Sequence, residues 1–150
     1  MEKTNSKEEI LSLFRGINKI FKKDFEKRLA KYELTAEQGR LLFYIEHNLS
    51  RGNKVRQVDI EKHFQITKST VHGLVNRMEK RNLIIRKKEG KNQYIEVSDD
   101  CKKILNDVCQ KRTEVLDEMA ADLSEQEIEI LINLLSKIYD NHNKGGIKNV

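Results

Sequence analysis

The sequence predicts a mainly α protein: a winged helix-turn-helix with a two-stranded β wing, flanked by long outer helices that pair two chains. Three observations carry this. Apolar residues recur at helical spacing along most of the chain, and no proline interrupts them. Between residues 57 and 98 a short helix, a tight turn, a second helix and a hairpin follow one another. The charge is concentrated in that same central stretch.

Charged residues make up 35% of the 150 positions, but Ile, Leu, Val and Phe together supply 43 of them. That is well above the roughly 20% below which a charged chain stays disordered, so one folded domain over 1–150 is expected. Net charge by segment is +2 for residues 1–50, +8 for 51–94 and −5 for 95–150. A basic centre beside an acidic end is the footprint of a polyanion-binding module. The opening "MEKTNSKEEI" has no apolar core of a secretory signal, and no run approaches the ~18 apolar residues of a membrane span. If Cys101 and Cys109 share a helix, their Cα atoms lie about 12 Å apart, too far for a bridge. Reduced thiols and a cytoplasmic location follow, with no membrane partner.

Ile10, Leu13, Phe14, Ile17, Phe21, Phe25 and Leu29 define a first helix over 8–31. Thr35, with Gln38 three residues on, reads as a capping box opening a second helix to about Asn48. "LSRGNK" (49–54) is a loop around Gly52. "QVDIEKHF" (57–64) is a short helix, "QIT" (65–67) a turn, and Thr67 the N-cap of the helix "STVHGLVNRMEKR" (69–81). Asn82 stands where a left-handed residue would end that helix. "LIIRKK" and "QYIEVS" are strands joined by "EGKN" around Gly90. From Ser98 one long helix is expected, with Cys101, Ile104, Leu105, Val108, Val115, Leu116, Met119 and Leu123 on its stripe. Ser124 and Glu127 cap a final helix bearing Ile128, Leu131, Ile132, Leu135 and Ile138, and "NHNKGGIKNV" reads as a frayed tail.

The helix 69–81 carries the functional signal. With Val71, Leu74, Val75 and Met78 turned to the core, Ser69, Gly73, Asn76 and Lys80 point away, flanked by Lys68, Thr70, His72 and Arg77. Short polar side chains near the N-terminus of a helix suit contact with base edges in a major groove. A glycine in a helix costs roughly 1 kcal/mol relative to alanine. Its use is to let the backbone approach a base or phosphate closely. Arg51, Lys54, Arg56, Arg86, Lys87, Lys88 and Lys91 supply further charge for phosphates.

"LTAEQGRLLFYI", "VDIEKHFQITKSTVHGLVNRMEKRNLIIRK" and "YIEVSDDCKKIL" together resemble the MarR family of winged helix-turn-helix transcription regulators, over nearly the whole chain. The resemblance implies a homodimer built from segments 6–33 and 99–142, with the lobes at 35–98 reading a pseudo-palindromic double-stranded operator. It implies a repressor released by a small molecule or an oxidant, with no cofactor. It also places an effector cleft between lobe and dimer helices, for which Phe14, Ile17, Phe43, Ile45 and Met119 are candidate linings. Two departures stand out. The family's wing usually carries Asp-x-Arg before its second strand. Here "EGKNQYI" has no such pair, leaving minor-groove contact to Lys88, Lys91, Asn92 or Gln93. The turn glycine is replaced by Gln65, which asks for a different turn geometry. Arg86 matches, and is expected to position the wing or meet a phosphate.

Other chemistry is thin. His47, His63, His72 and His142 form no metal-ligand spacing, and no nucleophile–base, paired-carboxylate or phosphate-loop pattern points to an enzyme. The rival classes are a winged-helix module that docks an acidic protein, and a metal-sensing regulator whose site assembles only in three dimensions.

Overall fold

The computed structural model describes residues 2–143, with side chains from Asn5 onward. Within this range seven α-helices and one hairpin follow in order: α1 (Glu2–Ala30), α2 (Ala36–Ser50), α3 (Gln57–Phe64), α4 (Lys68–Lys80), β1 (Ile84–Glu89), β2 (Asn92–Val97), α5 (Asp99–Gln110), α6 (Glu114–Met119) and α7 (Glu125–Asn143). The chain falls into two compact units, Met1–Arg112 and Thr113–Val150.

In the first unit, Leu29 from α1, Leu41, Leu42 and Ile45 from α2, and Ile60 from α3 meet the α4 stripe, Val71, Leu74, Val75 and Met78. Ile84, Ile95 and Val97 of the hairpin and Cys101, Leu105 and Val108 of α5 complete this core. The buried cluster therefore reaches beyond 35–98, into the end of α1 and all of α5. Gly39 makes the α1–α2 contact close: a Cβ there would lie 2.4 Å from Leu29 Cδ1.

Local signals set the helix ends. Thr35 Oγ1 accepts from Gln38 N at 3.1 Å while Gln38 Oε1 accepts from Thr35 N at 3.0 Å, the reciprocal pair of a capping box. Thr67 Oγ1 accepts from Thr70 N at 3.2 Å. At the end of α4, Asn82 takes φ 56°. Its N–H reaches Glu79 O at 2.9 Å and that of Leu83 reaches Met78 O at 3.0 Å, which satisfies two orphan carbonyls. Ser98 then does two jobs. Its hydroxyl donates to Asn82 O at 2.7 Å and accepts from Cys101 N at 3.2 Å, joining the end of α4 to the start of α5.

The wing is antiparallel, pairing Ile84 with Val97 and Glu89 with Asn92. Val55 adds a bridge to Ile95, whose N–H donates to Val55 O at 2.8 Å. The loop before α3 is thus pinned to the wing, a contact no local pattern announces.

Four expectations change. The long helix from Ser98 breaks at a 3-10 turn, Lys111–Thr113, between α5 and α6. Side chains take the last carbonyls of α5: Arg28 donates to Val108 O, and Arg112 to Cys109 O at 3.3 Å. Donors inserted at a helix end in this way stop the backbone ladder. Gln65 does not bring a different turn; it adopts φ 53°, ψ 43°, the left-handed conformation a glycine would take. The second helix runs two residues past Asn48, to Ser50. Finally, α7 continues through Asn143, so "NHN" is helical, and the rest of the tail lies outside the described residues. The Ser124–Glu127 capping box is present, with distances of 2.8 and 3.2 Å.

A side chain held left-handed costs about 1–2 kcal/mol, part of which glycine returns as backbone entropy. Gln65→Gly should raise unfolding free energy by up to about 1 kcal/mol, read as a higher urea midpoint at unchanged slope.

Candidate nucleic-acid interface

The exposed side of α4 is polar throughout. Lys68, Ser69, Thr70, His72, Arg77 and Lys80 are exposed, while Gly73 and Asn76 are half-buried. Ser69 and Thr70 share the cap: Thr67 Oγ1 lies 3.2 Å from Ser69 Oγ and 2.8 Å from Thr70 Oγ1. A hydroxyl has one donor and two acceptor positions, so both keep capacity for a base or phosphate. Gly73 has no packing reason within its own chain. A Cβ there would meet only Arg77 Nη1, at 3.4 Å, and φ is not positive. Gly39 is a glycine because Leu29 lies against it; Gly73 leaves its space on the outer surface.

The expected phosphate contacts divide into two groups. Lys54 is paired with Glu89, whose hydrogen bond holds the ammonium above its ordinary pKa, and sits 5.1 Å from the centre of the Tyr94 ring. Lys87 lies 2.8 Å from Glu96, with the same effect on its pKa. Arg56 is 3.3 Å from Asp59. Arg86 donates from Nη2 to Asn76 Oδ1 at 2.6 Å and from Nη1 to Glu79 Oε2 at 3.1 Å. Both bonds tie β1 to α4, the geometry that a positioning role for Arg86 requires. Arg51 lies by His47 Nε2, at 3.4 Å. Among the described residues, Lys68, Arg77, Lys80, Lys88 and Lys91 enter no ion pair.

Residue-type reasoning misses the acids Glu79, Glu89 and Glu96, and Tyr94. The signal is the hairpin register: strand alternation sets Lys87 opposite Tyr94 and Ile85 opposite Glu96, and diagonal neighbours reach one another. Arg81, outside the expected set, has a structural partner, donating to Glu33 O at 2.9 Å.

Of the five expected effector linings, four lie in the first unit and Met119 in the second. Ile45 is fully buried in the core, so it lines nothing, and Phe43 packs on that core with its ring 5.9 Å from Phe25. Phe14 and Ile17 are exposed on α1, and Met119 is exposed on α6 in the second unit. A cleft of about 190 Å³ lies elsewhere, lined by Glu37, Arg40, Leu41, Ile60, Phe64, Ile66 and Leu74. Among the described residues no three His, Cys, Asp or Glu side chains gather into a metal site. No helix of theirs is long and apolar enough to cross a membrane.

A tight helix-turn-helix, a wing tied to its second helix and a polar outer face on that helix define a winged helix-turn-helix protein. The MarR family model matches residues 32–93. The fold is similar to that of MepR, a transcription regulator of the Staphylococcus aureus multidrug efflux pump MepA. That match has a TM-score of 0.75 and 27% identity, and covers 86% of this chain and 95% of that one. A mutant of S. aureus MepR bound to an oligodeoxyribonucleotide matches at a TM-score of 0.70 and 27% identity, over 88% and 96% of the two chains. A MarR family protein from Bacillus stearothermophilus shares the fold, with a TM-score of 0.75 and 23% identity over 95% and 98%. No curated protein matches at a significant level. Over residues 32–93 the chain is thus similar to the MarR family, and over most of its length its fold is similar to that of the transcription regulator MepR.

The thiols bear on oxidant sensing. Cys101 is buried, and burial, reinforced by the charge of Glu46, pushes its thiol up to about 11. The reactive species is the thiolate, so Cys101 is inert near neutral pH. A pKa raised in the folded state gives stability that is complete below the unfolded thiol's ordinary value near 9 and lost as pH rises toward 11. Between pH 9 and 11, Cys101→Ala should remove a destabilisation of at most about 2 kcal/mol, measured by urea unfolding across that range.

Proposed function

We propose that the protein is a homodimeric, cytoplasmic repressor of transcription that binds a pseudo-palindromic duplex operator through α4 and the wing. The observation that carries this reading is the composition of α4. Each of its apolar side chains is buried and each exposed one is polar or basic. A protein-docking module would expose an apolar anchor on this helix. None is present among its residues, which disfavours the interaction-module reading. The oligodeoxyribonucleotide bound by the MepR mutant supports duplex DNA as the partner. A metal-sensing regulator has no ligand cluster among the described residues to stand on.

Proposed base readers are Ser69, Thr70, His72, Gly73 and Asn76; Lys68, Arg77, Lys80, Lys88 and Lys91 would meet phosphates. Without the family's Asp-x-Arg, contact in the minor groove falls to Lys88 and Lys91, beside the tip at Gly90, where φ is 60°. Arg51, Lys54, Arg56 and Lys87 would act more weakly, because an existing partner must be given up before a phosphate is gained. Selection from randomised duplex DNA tests the assignment directly, enriching one inverted repeat.

Relief by a small molecule is the finer part of the reading. The cleft supports it, with an apolar floor of Leu41, Ile60, Phe64, Ile66 and Leu74 and a polar rim of Glu37 and Arg40. It is smaller than the roughly 300–1,000 Å³ of pockets for drug-sized ligands, and suits a compound of about one ring.

Dimerisation rests on surfaces that one chain leaves open. Ile10, Leu13, Phe14, Ile17 and Ile20 of α1 are exposed. So are Ile128, Ile130, Leu131, Ile132, Leu134, Leu135, Ile138 and Tyr139 of α7. At about 100° per residue the α7 set spans roughly half the helix circumference, wider than the stripe a surface helix lays on its own core. A second copy covering such faces would form an obligate interface of the order of 2,000 Å² or more. It would also hold two α4 helices about one DNA turn, ~34–36 Å, apart.

Two measurements follow. The logarithm of affinity should fall linearly with the logarithm of salt, by about 0.9 for each phosphate neutralised. Lys88→Ala and Lys91→Ala should each flatten that slope by about 0.9 for every phosphate left unneutralised, and Lys54→Ala and Lys87→Ala by much less. Leu131→Asp or Leu135→Asp should leave helix-turn-helix packing untouched yet abolish dimer and operator binding together in sedimentation and gel-shift assays. A stable, folded monomer that still protects a palindrome would refute the dimer.

A further inference from the structure

Resting on the reading of the lobe's cleft as an effector site, we propose that its ligand is an α-amino acid with an apolar side chain, bound as the zwitterion. The cleft, of about 190 Å³, lies among α2, α3 and α4. Leu41 of α2, Ile60 and Phe64 of α3, Ile66 of the turn and Leu74 of α4 form its apolar walls. Its charged lining is one acid and one base, Glu37 and Arg40, both exposed on α2. Three residues apart on a helix, they share a face, with Cβ atoms about 5–6 Å from one another. That spacing permits an ion pair, yet among the described residues neither side chain enters one, with its neighbour or with any other group. Both charges stay available at the rim of an apolar cleft.

This pairing of signs selects the ligand. A simple carboxylic acid would meet the Arg40 fork but face the Glu37 carboxylate, and a simple amine would meet Glu37 but face Arg40. Each rim charge thus rejects a ligand that bears only its own sign, a repulsive element that sharpens specificity. An α-amino acid carries both groups on one carbon. Arg40 can take its carboxylate by two parallel bonds, and Glu37 can accept from its ammonium. The apolar side chain then fills the walled space, which suits a single ring or a branched aliphatic group. Such a ligand touches α2, α3, the turn and α4 at once. It bears on Leu74, one of the side chains that hold α4 in place.

The test is an NMR titration of the full-length protein with L-phenylalanine, L-leucine, glycine, 3-phenylpropionate and phenethylamine. Wild type should bind phenylalanine or leucine about tenfold or more tightly than either singly charged analogue, the scale of one lost charged hydrogen bond. Glycine, which leaves the walls uncovered, should bind at least tenfold more weakly as well. Glu37→Gln should weaken phenylalanine by about tenfold and leave 3-phenylpropionate as strong or stronger. Arg40→Gln should do the same to phenylalanine while sparing phenethylamine. The wild-type ranking decides the matter if either variant loses helix content. Analogues that match or exceed the amino acids, a ranking unmoved in both folded variants, or no amino acid bound at roughly 10 mM, above the Kd expected of a ligand this small, would each overturn the proposal. Gel shifts on the operator separate it from the reading it rests on. Release by an analogue and not by an amino acid would overturn the ligand class and keep relief by a small molecule. Amino acids that bind with the expected ranking but leave operator affinity unchanged would support the ligand class and overturn relief through this cleft.

Discussion

Burial of Val71, Leu74, Val75 and Met78 fixes the rotation of α4 about its own axis, and everything the protein presents through that helix depends on it. Each of these side chains is worth about 1.5–3 kcal/mol when fully removed from water. No small rotation can therefore exchange the apolar face for the one bearing Ser69, His72, Gly73 and Asn76. The partners of the stripe come from α1, α2, α3, the hairpin and α5, so the orientation of one helix is held by most of the first unit.

That constraint explains why the elements around α4 look as they do. The turn before it is tight enough that Gln65 accepts a left-handed backbone, and the turn after it ends on Asn82 in the same conformation. Arg86 then reaches back from the wing to α4, and Val55 reaches forward from the loop before α3 to β2. Helix, turn, helix and wing are one cross-linked piece. The basic charge of that piece is partly neutralised internally, since Lys54, Arg56, Arg86 and Lys87 all face carboxylates.

What is legible in the sequence is what local chemistry decides. Thr35 with Gln38, Thr67 with Thr70, Asn82, and Ser124 with Glu127 act within four residues of themselves, and the structure contains each as expected. The apolar period of 69–81 identifies every buried residue of α4. What stays hidden depends on residues far apart in the chain. Arg28 meeting Val108, 80 positions away, ends α5 where a uniform apolar period would carry it on. The Asn76–Arg86 and Lys54–Glu89 contacts need the wing folded back before either pair can be named. Ile45 misleads for a related reason: an apolar residue on a helix looks alike whether it lines a cleft or fills a core. The basic footprint is legible as a total, while its division into paired and unpaired cations is not.

Ser98 closes the backbone circuit between α4 and α5, with its hydroxyl on Asn82 O and its N–H on Leu83 O at 3.0 Å. Each such bond is worth about 1 kcal/mol net, and the same hydroxyl caps α5. The two helices thus share a stiff joint with no slack loop to absorb motion. A force on α5 therefore meets α4 first at its Asn82 end, where the packing of thirteen residues stands against it.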